Sequence, residues 1–249
     1  HMFNAMMRYR LAAIWRGLLM AIAVFVIITG GSILIFSNQM TWKAFWFTLL
    51  SGSLVVSQLV LIFLSFATTR KPFNFGILNC IPRSISYTTQ VISLFSSQLI
   101  SFLALYGGTY FIAAHQSGIN RFFLDSRFVL LAIVLIWTIM AEGIAISSFI
   151  TLFERKAWLF LFAAWLILST LYQHYIEPAI ERMLPSWVDT FVLNIPGDQP
   201  MNQLANLFHQ PIFWISGVIG ILIPLVIAGI CQHFMQTRRM TIRFKRFAR

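Results

Sequence analysis

Long apolar runs alternate along this chain with short polar segments, and six of the runs are long enough to cross a bilayer. Spanning about 30 Å of hydrocarbon takes about 20 mainly apolar residues in a helix. The runs at 18–36, 45–67, 90–113, 128–152, 157–175 and 212–234 meet that length. The pattern predicts an all-α membrane protein, with six transmembrane helices in a single transmembrane domain covering 1–249. The first run is too long for a signal-peptide core and is read as a retained span.

The flanking segments carry their own patterns. In 2–16, Phe3, Met7, Leu11 and Ile14 recur at helical spacing beside Arg8, Arg10 and Arg16. This reads as an N-terminal amphipathic interfacial helix with its Arg heads near lipid phosphates. The 68–87 segment holds Arg70, Lys71 and Arg83, with Pro72 and Pro82 as breaks. The 176–211 segment is long and too apolar for a simple loop, with Met183, Leu184, Trp187, Phe191 and Ile195 divided by Pro178, Pro185, Pro196 and Pro200. Short re-entrant or interfacial outer helices between spans five and six fit it. The tail at 237–249 is basic and contains no acid, as expected of a segment attracted to anionic lipid.

Composition agrees with lipid as the solvent. Apolar residues make up 59% of the 249 and charged residues 10%, against about 25% charged in a soluble domain. No room remains for a soluble catalytic domain of ordinary size. The formal charge of +11 does not point to nucleic acid, because the basic residues lie between apolar runs rather than along one soluble face. They orient the chain instead. With the N-terminus inside, Arg8, Arg10, Arg16, Arg70, Lys71, Arg83, Arg155, Lys156 and the six basic tail residues fall on the inner side, leaving Lys43, Arg121, Arg127 and Arg182 outside. The positive-inside bias therefore predicts both termini in the cytoplasm. Cys80 and Cys231 have no metal-ligand spacing around them and read as inert thiols.

Little in the chain looks like catalytic chemistry. There is no His-Glu-x-x-His motif, no Gly-x-Ser-x-Gly elbow and no Gly-rich phosphate loop ending in Lys-Ser or Lys-Thr. Gly30-Gly31 and Gly107-Gly108 fit close helix packing. His174, Glu177 and Glu181 could share one helical face, but such a set at an interface is more often solvated than metal-binding. Glu142 is the one acid well inside a predicted span. A carboxylate there costs roughly 2.5–3.5 kcal/mol on insertion scales and should face protein or water. It reads either as a transport site or as hydrogen-bonding glue between helices. Ser51, Ser53, Ser57, Gln58, Ser93, Ser96, Ser97 and Gln98 give spans two and three scattered polar groups that could line a path or pack helices. Ser57, Gln58 and Gln98 join Glu142 as pathway candidates.

This layout resembles the membrane subunit, or permease, of a type-2 ABC transporter. The shared features are the amphipathic helix before span one, the six spans with both ends inside, the basic inner loop after span two and the long apolar segment before span six. The stretch Phe75-Gly76-Ile77 through Pro82-Arg83-Ser84-Ile85-Ser86-Tyr87 is similar to one in small permeases of antimicrobial-peptide, bacteriocin and multidrug systems. The resemblance implies a bacterial inner-membrane location and pairing with a second permease subunit, as a homodimer or heterodimer. It also implies separate ATP-binding cassette subunits that hold ATP and Mg and do the hydrolysis, so that this chain is not itself an enzyme and carries no cofactor. Membrane lipids are the remaining partner. Coupling to the ATPases would fall on Arg70, Lys71, Phe75, Ile77 and Arg83, with Glu154 and Arg155 as a second contact. The cargo would be amphipathic (a peptide, lipid or drug) and the direction export. Two other readings stay open: an ion-coupled carrier or channel using Glu142, and an intramembrane lipid-modifying enzyme.

Overall fold

The computed structural model describes residues 2–36, 41–67, 81–113, 126–153, 156–171, 173–174 and 208–247, with backbone alone at 36 and 236–247. The protein is an all-α membrane protein. Its elements are α1 (Met2–Phe36), α2 (Trp42–Ala67), α3 (Arg83–Ala113), α4 (Ser126–Phe153), α5 (Ala157–Leu171) and α6 (Pro211–Phe247). Five are long and apolar enough to cross a bilayer, and α5, at 15 residues, is a shorter apolar helix. At 1.5 Å per residue α5 extends about 22 Å.

Local chemistry sets several of the helix starts. Thr41 caps α2, its Oγ1 accepting the Ala44 backbone N–H at 3.4 Å. Pro82 stands just before α3, and Ser86 N–H donates to its carbonyl at 3.0 Å. Pro211 opens α6, where a missing N–H costs nothing. Hydroxyls within the helices bond back to carbonyls one turn earlier, as in Thr48 to Ala44 and Thr151 to Ser147. That lets Ser and Thr sit in lipid with their donors satisfied.

Side-chain pairings fix the direction of each helix. Phe25 of α1 lies against Gly52 of α2, and Gly30 faces Leu49, so the two are antiparallel. Gln58–Gln98 and Leu50–Gly108 make α2 and α3 antiparallel. Val134–Gly217, Thr138–Gly220 and Ser148–Gln232 make α4 and α6 parallel. The chain therefore returns to the opposite end of the bundle between α4 and α6. As a consequence the start of α1 and the end of α6 lie at the same end of the bundle. The core joins one or more residues from each of five helices: Ile14 and Leu18, Leu61, Leu94, Met140 with Ile144 and Ala145, and Ala228. α5 adds nothing to that cluster. It touches the end of α4 through Phe160 against Phe153 and Phe149 and is otherwise exposed nearly all round.

The structure differs from the sequence reading in several places. Residues 2–16 are not a separate helix; they are the first turns of α1, with Gly17 too small an interruption to break it. Of the apolar stripe, Ile14 is buried. Met6, Arg10, Ile14 and Leu18 point inward, while Phe3 is exposed. Residues 83–87, assigned to the inner loop, are the first turns of α3. The basic tail continues α6 as helical backbone to Phe247. The span expected at 157–175 is described as helix over Ala157–Leu171 and again at 173–174. The outer segment lies outside the described residues up to 207.

Candidate functional site

The polar residues of the spans gather in the interior, and α3 is their hub. Seven of its buried residues are polar: Ser86, Thr89, Gln90, Ser93, Ser97, Gln98 and Ser101. Its apolar side chains Ile92, Ile100 and Leu103 face outward. This inverted amphipathy is what a helix in lipid needs, because the hydrocarbon rewards apolar surface and the bundle supplies partners for polar groups.

Two hydrogen-bonded layers follow. In the first, Trp137 Nε1 donates to Gln98 Oε1 at 2.7 Å, and Gln98 Nε2 donates to Gln58 Oε1 at 3.0 Å. Gln58 Nε2 donates in turn to Ser57 Oγ at 3.0 Å and to Ser101 Oγ at 3.4 Å. This layer ties α2, α3 and α4. In the second, nearer the basic end, Gln232 Nε2 donates to Gln90 Oε1 and to Ser148 Oγ, both at 3.2 Å. It ties α3, α4 and α6. Between them, Ser97 Oγ is buried without a hydrogen-bond partner. Tyr87 of α3 lies against Gly229 and donates its hydroxyl to the Leu225 carbonyl of α6.

Of the pathway candidates, Ser57, Gln58 and Gln98 are thus brought together and bonded to one another. Glu142 is not with them. It lies within about one helical turn of the middle of α4, on the side of that helix turned away from the bundle and exposed, in line with the exposed Leu135 and Ile139. Next to it Gly143 faces inward, where a Cβ would meet Ser65 Oγ and come within 3.0 Å of the Phe66 ring. The close approach of α2 and α4 at Gly143 leaves Glu142 on the outer side of the crossing. Of the coupling candidates, Arg83 is half-buried in the first turn of α3, and Arg70, Lys71, Phe75, Ile77, Glu154 and Arg155 lie outside the described residues.

Sequence reasoning missed Gln90, Trp137 and Gln232; for the two glutamines, an amide within an apolar run was a usable signal, while the run that holds Trp137 contains no amide. Arg10, which the sequence places near lipid phosphates, is 5% exposed and donates to Ser86 Oγ at 3.0 Å. Among the described residues no group of three His, Cys, Asp or Glu side chains is placed to hold a metal ion. His174 is described, but Glu177 and Glu181 are not. Comparison of the chain with known protein families, with curated proteins and with solved structures finds no match.

Proposed function

We propose that this multi-pass membrane protein is the membrane-spanning subunit of an ABC transporter. Two such subunits pair so that an amphipathic cargo passes between them, driven by ATPase subunits that bind at the basic end. The observation that carries this reading is the outward-facing Glu142. A carboxyl group turned to hydrocarbon at mid-membrane costs roughly 2.5–3.5 kcal/mol on insertion scales, and the chain's own helices do not cover it. A second subunit or a polar pathway against that face removes the cost. The interior layers favour the same choice over a single-bundle proton carrier. They consist of Gln, Ser and Trp, none of which titrates, so they cannot relay protons. Of the Lys and Arg that the sequence reading puts inside, Arg8, Arg10 and Arg83 lie in the first turns of α1 and α3, at the end the start of α1 shares with the end of α6, and the positive-inside rule favours that end as the cytoplasmic one. With no phosphate loop in the sequence, the energy comes from another chain.

The test is purification from native membranes under mild detergent. An ATP-hydrolysing subunit is expected to co-purify in equal number. Cysteines introduced by Glu142→Cys or Ile139→Cys are expected to cross-link two copies. Glu142→Gln is expected to leave expression unchanged and to reduce peptide-stimulated ATP hydrolysis of the complex at least severalfold. A chain that purifies alone, does not cross-link through α4 and moves protons in vesicles would overturn the proposal in favour of the carrier reading.

A further inference from the structure

The basic end contains a cation whose charge no acidic side chain among the described residues is placed to balance. Arg10 is almost completely buried, yet its one hydrogen bond among the described residues goes to the neutral Ser86 hydroxyl, and its Nε has no partner. A guanidinium does not give up its proton, so burial cannot neutralise it. A buried charge of this kind is held only against an opposite one.

Its surroundings add positive charge. Ser86 lies in the first turn of α3, whose N–H groups and helix dipole make that end electropositive. The first turn of α3 contains no acidic residue. Arg83 opens the same helix, three residues before Ser86 and so on the same face. The one acidic side chain among the described residues is Glu142. Gln90 and Ser148 share a layer through Gln232, so Ser86, one turn further out, is level with about residue 152 of α4. That is about 15 Å along the helix from Glu142 and about 19 Å from the middle of α4. The hydrocarbon ends about 15 Å from its midplane, so Arg10 lies at the depth of the lipid headgroups.

We propose that Arg10, Arg83 and the first turn of α3 form a binding site for a phosphate oxyanion, supplied by an anionic phospholipid of the leaflet at the basic end. The planar guanidinium matches a phosphate with two parallel donors, and the helix N-terminus adds backbone N–H groups to the same anion. The site is distinct from the attraction of scattered surface charges to anionic lipid, because Arg10 is enclosed between α1 and α3. It does not depend on the transporter reading, and its test involves neither ATP nor cargo.

The experiment titrates the purified full chain in neutral detergent with phosphatidylglycerol, and reads an apparent Kd from the rise in Tm. A phosphate-free neutral glycolipid and inorganic phosphate are titrated in parallel. Arg8 and Arg16 lie on the same helix and are exposed, so Arg8→Gln and Arg16→Gln remove the same charge without touching the site. Phosphatidylglycerol is expected to stabilise the wild type and the glycolipid to have no such effect. Arg10→Gln is expected to weaken the lipid effect by about tenfold or more, as befits loss of a charge-assisted contact, and the two control variants by less than about twofold. Should Arg10→Gln not fold, Arg10→Lys keeps the charge but not the fork and is expected to weaken binding severalfold. Inorganic phosphate that competes in the wild type but not in Arg10→Gln supports the oxyanion site and assigns it to a free anion. Equal losses in all three glutamine variants, or an Arg10→Lys protein that binds as the wild type does, would overturn the proposal.

Discussion

Gln98 is the residue whose loss the bundle should feel most, and its contribution can be worked out from its partners. It accepts from Trp137 of α4 and donates to Gln58 of α2. Gln98→Leu keeps the volume and removes both bonds. Interhelical hydrogen bonds measured in a membrane average roughly 0.6 kcal/mol and reach about 1.7, which puts the direct loss at about 1–3 kcal/mol. The variant also strands the Trp137 N–H and one Gln58 lone pair in a dry interior, which pushes the cost toward the top of that range. Gln58→Leu in the same background removes one of the stranded groups. The double variant should therefore be more stable than the two single losses added together, with a coupling energy of about 0.5–1.5 kcal/mol. The assay is reversible unfolding in mixed micelles, followed by near-ultraviolet circular dichroism, which reports on the environment of Trp137. Gln98→Leu as stable as the wild type, or single effects that simply add, would refute the view that this layer holds the helices together. A polar layer that lines an open aqueous path would give that second result, because water would satisfy whatever the mutation exposed.

Gly143→Leu is expected to destabilise the fold by about 1–3 kcal/mol in the same unfolding assay, because the new side chain meets Ser65 and the Phe66 ring where α2 and α4 approach most closely; the same substitution at Gly17, where an added Cβ meets nothing within 4 Å, should change stability by less than about 1 kcal/mol. With Cys80 and Cys231 replaced, single cysteines at Phe3 and at Lys245 should react with a membrane-impermeant thiol reagent from the same side only, and from the cytoplasmic side if the basic end faces inward. Labelling from opposite sides would contradict the parallel packing of α4 and α6.

The sequence was a good guide to where helices end and a poor one to which way they face. The ends at Phe36, Ala67 and Ala113 coincide with the apolar runs because each run stops there. The start of α3 was placed at Gln90 because Ser84, Ser86, Thr88 and Thr89 lower the hydropathy. In the helix the two threonine hydroxyls serve the backbone instead, Thr88 bonding to the Ser84 carbonyl at 2.7 Å and Thr89 to that of Ile85 at 2.8 Å, and Ser86 accepts from Arg10. In α1 the apolar stripe Phe3, Met7, Leu11 and Ile14 reads as a separate interfacial helix, whereas these turns continue into the first span. Of that stripe Ile14 is buried, in line with Met6 and Arg10, while Phe3 stays outside, since lipid accepts apolar surface without any need for a partner. Glu142 was legible as an exception to its span, but not as a group facing away from its own helices. Its direction depends on Gly143 taking the inward position, and that follows from the crossing of α2 and α4 rather than from any local pattern.

The arrangement of these polar groups limits how the protein can move. The amide layers lock α2, α3, α4 and α6 through bonds along the polar face of α3, and Arg10 adds α1 to the same helix. Sliding any one of these helices by a turn would break at least one bond in an interior that has no water to replace it, so the five-helix body should move as a unit. Two weakly held regions remain. α5 touches the rest mainly through the Phe149, Phe153 and Phe160 cluster. The outer face of α4 has a carboxyl group at mid-depth that the described helices leave exposed. In the transporter proposed above, rearrangement would then occur between bodies, at the face that holds Glu142, with α5 the least tightly held of the described helices.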